Sequence, residues 1–93
     1  MSEYTKTKII LNDGTEINNG LVGYSDGFLW CYLTGYTMQQ AAVIFFDEEK
    51  TEKIVFVYGA ESDKYEGFTV CRTISIDIDG KISVCLARGV NNG

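Results

Sequence analysis

The sequence predicts an α+β fold made mostly of antiparallel β-hairpins: about seven or eight strands in a strongly curled sheet, barrel or sandwich, with one short central helix near Met38–Asp47. Three observations carry this. Asp13-Gly14, Asp26-Gly27 and Asp79-Gly80 each stand between runs of alternating apolar residues, which is the strongest short-range hairpin signal. Thr37 and Gln40 have the spacing of a capping box, and Met38, Ala41, Ala42 and Phe45 recur behind it at helical intervals. The stretch from Phe28 to Leu33 is apolar on both faces of a strand, so more than one layer has to cover it.

Along the chain, a strand over Thr7–Leu11 turns at Asn12-Asp13-Gly14 into a short partner, Thr15–Asn18, and the run Asn18-Asn19-Gly20 forms a loop. A second hairpin joins Leu21–Tyr24 to Phe28–Thr34 through Ser25-Asp26-Gly27. The helix follows, although Val43-Ile44-Phe45-Phe46 is also compatible with a buried strand, because periodicity does not separate the two in so short a run. Strands resume over Lys53–Tyr58. A loop over Gly59–Asp63 then leads to one long strand, Lys64–Arg72, bent or bulged at Gly67, and on to Thr73–Ile78.

The last hairpin permits a register argument. A two-residue Asp79-Gly80 loop sets Ile76 against Ser83 and Asp77 against Ile82, mixing polar with apolar. A three-residue loop over Ile78-Asp79-Gly80 instead pairs Ile76 with Ile82, Ile74 with Val84 and Asp77 with Lys81, so we expect it, with Gly80 in the left-handed region. The same reasoning at the first turn sets Ile9 opposite Ile17 and Leu11 opposite Thr15.

Ninety-three residues, 45% of them apolar, make one domain over residues 1–93, with frayed ends at 1–4 and 89–93. Aromatic residues at 13% and an absence of proline argue against disorder. Thirteen acidic against eight basic residues leave a net charge of −5, with no basic run, which disfavours nucleic-acid binding. Cys31, Cys71 and Cys85 are odd in number and match neither a disulfide framework nor a metal motif, so they read as small core hydrophobes. Met1–Lys6 lacks the apolar core of a signal peptide, and no run approaches the ~20 apolar residues that span a bilayer. These features predict a cytoplasmic protein that needs no membrane.

The chain has no histidine, which removes Ser-His and Cys-His nucleophilic mechanisms. The acidic runs Asp47-Glu48-Glu49 with Glu52, and Glu61, Asp63 and Glu66, lack a calcium-loop pattern and read as solvated faces. Gly20, Gly23 and Gly27 lack the order of a phosphate loop. No catalytic residue, cofactor or metal site is predicted.

The informative segment is Phe28-Leu29-Trp30-Cys31-Tyr32-Leu33. Alternation puts Leu29, Cys31 and Leu33 on one face and Phe28, Trp30 and Tyr32 on the other. One short helix shelters one face only, so the aromatic side is either enclosed by further sheet or offered to a partner. Trp and Tyr are enriched in binding hot spots, and Tyr24 and Tyr36 are candidates to extend the same surface.

One resemblance bears on this. Asp13-Gly14-Thr15, Leu29-Trp30, Thr37-Met38-Gln39-Gln40-Ala41, Asp47-Glu48-Glu49-Lys50-Thr51, Tyr65-Glu66-Gly67-Phe68-Thr69 and Gly80-Lys81-Ile82-Ser83-Val84-Cys85-Leu86 follow one another along nearly the whole chain. In this series the sequence resembles a group of small proteins encoded in prophages and mobile elements of Firmicutes, departing from it where Glu48 replaces a proline. The resemblance implies a phage-associated accessory or virion protein and carries no active residues with it.

The expected function is therefore a non-enzymatic, β-rich protein–protein interaction or structural module that binds a protein partner or a copy of itself. Two alternatives stand beside it. One is a small-molecule-binding domain with an apolar cavity lined by Phe28, Trp30, Phe56 and Tyr58; the other is an acidic anti-defence inhibitor acting through the charge between Asp47 and Glu66.

Overall fold

Glycine and aspartate at the turns close the hairpins, with Gly14, Asp26, Gly27 and Gly80 all at positive φ. The computed structural model describes residues 7–89; residues 1–4 and 90–93 of the expected frayed ends lie outside them. The elements in order are β1 (Thr7–Ile10), β2 (Glu16–Asn18), β3 (Leu21–Ser25), β4 (Phe28–Leu33), α1 (Met38–Phe45), α2 (Glu48–Thr51), β5 (Lys53–Tyr58), β6 (Glu61–Glu66), β7 (Val70–Ile76) and β8 (Ile82–Ala87). Four strands form one sheet in the order β2-β1-β5-β6, four form a second in the order β3-β4-β8-β7, and every neighbouring pair is antiparallel.

The sheets are neither closed nor strongly curled. In place of one sheet rolling up, the chain changes sheets between β2 and β3, between β4 and β5, and between β6 and β7. Asn19, at φ 63°, makes the first crossing. Both helices lie within the second.

Two hairpins have the expected register. Ile9 faces Ile17, and the amide of Leu11 donates to the Thr15 carbonyl at 2.8 Å. At the other end of the chain Ile74 faces Val84, Ser75 faces Ser83 and Ile76 faces Ile82; the Asp77 amide donates to the Lys81 carbonyl at 3.0 Å, and Gly80 has φ 81°. The Asp77 side chain holds this tip as well, accepting from the amides of Asp79 and Lys81 at 2.9 and 3.0 Å.

The expected long strand Lys64–Arg72 does not exist. Gly67 is neither a bend nor a bulge within it: at φ 84° it ends β6, its amide donates to the Glu52 carbonyl at 2.9 Å, and the chain passes to the other sheet. Phe68 is fully buried at the crossing. The expected loop over Gly59–Asp63 shrinks to Gly59-Ala60, since Tyr58 already pairs with Glu61. The irregularity lies instead in β7, where the register shifts between Cys71 and Thr73 and Arg72 is the extra residue. Gly89 is also no loose end, because its amide donates to the Gly67 carbonyl at 3.0 Å.

The capping box forms as read: the Gln40 amide donates to Thr37 Oγ1 at 3.0 Å, and the Thr37 amide donates to Gln40 Oε1 at 2.9 Å. The helix ends at Phe45, short of Asp47, because the Asp47 side chain accepts from the Glu49 amide at 3.0 Å and starts α2. Ala41 and Phe45 enter a core that Ile9, Ile17 and Ile54 supply from the first sheet and Leu29, Leu33, Val84 and Leu86 from the second. Burying such a side chain stabilises the fold by roughly 1.5–3 kcal/mol.

The first turn is clamped to α2. Lys50 Nζ lies 3.0 Å from Asp13 Oδ2, and the Asn12 amide and side chain donate to the carbonyls of Lys50 and Glu49 at 2.9 and 3.0 Å. Hydrogen bonds from Thr15 and Lys50 hold the Asp13 carboxyl well below its ordinary value, and the same pair raises Lys50. A carboxyl whose folded pKa is lowered adds stability above its unfolded value, 3.8 for this group, and that stability is lost as pH falls from there through the folded pKa. Asp13→Asn, which keeps the turn and removes the charge, is expected to flatten the dependence of the urea midpoint on pH between about pH 4 and about pH 2. An unchanged slope would show that the ion pair adds nothing.

Candidate functional site

Directly opposed residues in an antiparallel ladder share a face, so the register of the second sheet defines its outer surface. Leu29, Cys31 and Leu33 point into the core and are fully buried, which leaves Phe28, Trp30 and Tyr32 on the outer side. Ser25, Gly23 and Leu21 of β3 lie opposite these three, while Cys85 and Ser83 of β8 lie opposite Trp30 and Tyr32. Apart from Leu21 opposite Tyr32, the aromatic row thus stands between small neighbours that cannot rise to cover it.

Among the described residues, no element folds over this row to enclose it. Both helices pack elsewhere: α1 sits against β7 and β8 and puts its buried residues into the core between the sheets. Phe28 and Trp30 are half-buried, Tyr32 is 38% exposed and Leu21 is 52% exposed. The Arg72 guanidinium carbon lies 5.3 Å from the Phe28 ring centroid, a cation–π distance, so the β7 irregularity brings a positive charge to one end of the row.

The other two proposed members lie apart. Tyr24 is opposite Leu29 and therefore on the inner face, stacking on Tyr65 at 6.3 Å and meeting Phe68 edge-on at 5.9 Å. Tyr36 precedes α1 and, with Val43 and Ile44, lines an open groove of about 590 Å³ beside the helix. Of the five residues read from the sequence, the fold brings together Phe28, Trp30 and Tyr32; it adds Leu21, Cys85 and Arg72, which the sequence reading missed. Leu21 was within reach, since a two-residue Asp26-Gly27 loop pairs Ser25 with Phe28 and so places Leu21 opposite Tyr32. Arg72 was not, because its place depends on the register shift.

The four residues expected to line one cavity do not share one. Phe28 and Trp30 are on the outer face of the second sheet. Phe56 faces the core opposite Ile9 in the first, stacked on Tyr58 with ring centroids 5.1 Å apart. Tyr58 donates its hydroxyl to Asp63 at 3.1 Å, which raises its pKa.

Burial pushes Cys31 up to about 12 and also raises Cys71 and Cys85, the last partly offset by the nearby Arg72 charge. All three are free, Cys31 and Cys85 buried and Cys71 half-buried, and a protonated thiol is a poor nucleophile. Among the described residues no three His, Cys, Asp or Glu side chains are placed to hold a metal ion, and no helix is long and apolar enough to cross a membrane.

Comparison of the chain with protein-family models, with curated proteins and with solved structures finds no match.

Proposed function

We propose that this chain is a non-enzymatic protein–protein interaction module that engages a protein partner through the outer face of the second sheet. The observation that carries the reading is the row Phe28, Trp30 and Tyr32, unsheltered by any described element and flanked by Gly23, Ser83 and Cys85. Rings of this kind bury large areas at small conformational cost, and each retains some accessible surface before a partner arrives. Arg72 beside Phe28 supplies a charged end to an otherwise apolar strip. Since both inner faces feed one core, we read the paired sheets as a sandwich, with this strip as an aromatic stretch of its exterior. The setting we attach to it is the one the sequence resemblance implies, a phage-associated accessory or structural protein.

Trp30 is the chain's single tryptophan, so its emission reports on this face alone. The isolated protein is expected to be quenched by acrylamide and to become protected when the partner binds. Trp30→Ala is expected to fold and to bind about 30-fold more weakly, as loss of a hot-spot tryptophan does. A folded Trp30→Ala protein with unaltered affinity overturns the assignment.

A further inference from the structure

Among the described residues four strands lie at sheet edges, and three of them carry features that discourage pairing with another chain. β2 is only three residues long, β6 carries Glu61, Asp63, Lys64 and Glu66, and β7 is interrupted at Arg72. β3 has none of these protections: its five residues, Leu21-Val22-Gly23-Tyr24-Ser25, are uncharged, free of proline and regularly paired with β4.

We propose that β3 is a self-pairing edge, on which a second copy of this chain docks by antiparallel β3–β3 addition centred on Gly23. The geometry of the hairpin fixes which backbone groups are free. Asp26 and Gly27, at φ 55° and 84°, form a two-residue turn, so Ser25 and Phe28 are the hydrogen-bonded pair that closes it. By alternation Gly23 and Leu21 also bond toward β4, and the N–H and C=O groups of Val22 and Tyr24 point outward. Set antiparallel about Gly23, these outward groups meet each other: Val22 of each copy exchanges two hydrogen bonds with Tyr24 of the other, and the two glycines form the close, non-bonded pair on the axis. The strand is thus complementary to itself, as a two-fold interface requires.

Charge agrees with this occupant, and area makes its binding weak. None of the net charge of −5 resides on β3, so two copies meet there without opposed like charges at the junction. Leu21 and Tyr24, each 52% exposed, gain cover from the second copy. Five residues a side bury less than the ~800 Å² per partner of a standard interface, so the dimer is weak, with a dissociation constant above about 1 μM.

The register makes its own test. A Cβ added at Gly23 meets nothing nearer than Tyr32 at 4.0 Å and φ there is not positive, so a side chain is accommodated in the single chain. Light scattering on the unmodified protein, taken up to about 1 mM, is expected to show the mass rising toward twice 10.4 kDa. Gly23→Lys and Gly23→Glu each place like charges face to face across the axis and are expected to weaken the dimer at least about tenfold, while their equimolar mixture associates again. Val22→Pro removes an outward N–H and no bond to β4, and is a second route to the monomer. Trp30→Ala is expected to leave the dimer intact, which separates this edge from the partner-binding face. A protein that stays monomeric throughout, folded Gly23 and Val22 variants that dimerise as before, or a charge-swapped mixture that fails to associate overturns the proposal.

Discussion

Phe68→Ala is expected to destabilise the protein by about 3–5 kcal/mol, enough to leave a small domain largely unfolded near body temperature. Phe68 is fully buried where the chain leaves the first sheet for the second, and its ring meets Tyr24 and Tyr65 edge-on at 5.9 and 6.3 Å. The Arg88 guanidinium carbon lies 4.8 Å from its centroid, so the ring also anchors the segment after β8. Alanine leaves a cavity that three separate elements line. Such a site relaxes poorly, because inward movement of one wall pulls on strands held in different sheets. Urea denaturation gives the loss directly, and Phe68→Leu, which keeps most of the volume, is expected to recover about half of it. A cost of less than about 1 kcal/mol for the alanine variant would mean that the crossing is not packed as described.

Gly20→Ala is expected to cost about 1–3 kcal/mol, although the backbone there tolerates any L-residue. Gly20 is buried, and a Cβ at this position falls 2.6 Å from Ile9 Cδ1 and 3.3 Å from Ile17 Cγ2. Ile9 is itself fully buried, so turning its Cδ1 aside presses it against other core atoms. The clash has one principal partner, so it can be relieved by removing that atom. Ile9→Val alone is expected to cost about 0.5–1.5 kcal/mol, and the double variant less than the sum of the two single ones. Additive costs in this cycle would show that the glycine is required for some reason other than room.

The hairpins were legible because their information is local. An Asp-Gly step with alternating apolar flanks determines loop length, and matching Ile76 with Ile82 or Ile9 with Ile17 determines register, all within a few residues. The capping box at Thr37 and Gln40 was legible for the same reason. What escaped was the assignment of strands to sheets. Glu66 and Val70 belong to different layers, yet Tyr65 to Cys71 reads as continuous strand material, and the bonds that mark the break, from the Gly67 amide to Glu52 and from the Gly89 amide to Gly67, are distant in sequence. The candidate surface divides in the same way. Alternation alone put Phe28, Trp30 and Tyr32 on one face. Tyr24 was excludable from the same two-residue Asp26-Gly27 loop that places Leu21, since it pairs Tyr24 with Leu29, whereas finding Arg72 required a register shift that no local pattern announces.

The interleaving of the two sheets also shapes how the chain is made. Ile9 pairs with Phe56, and Leu29 pairs with Leu86, so the central ladder of each layer joins stretches far apart in sequence. During synthesis from the N-terminus the first layer has all its strands once Glu66 has emerged, whereas β4 waits with one flank open until Ile82–Ala87 is complete. Through that interval Leu29, Cys31 and Leu33 lack their final neighbours. A nascent chain at this stage carries an unpaired, apolar strand flank that favours aggregation, and its passage is governed by the slow closure of distant loops, with no proline isomerisation to add to the delay.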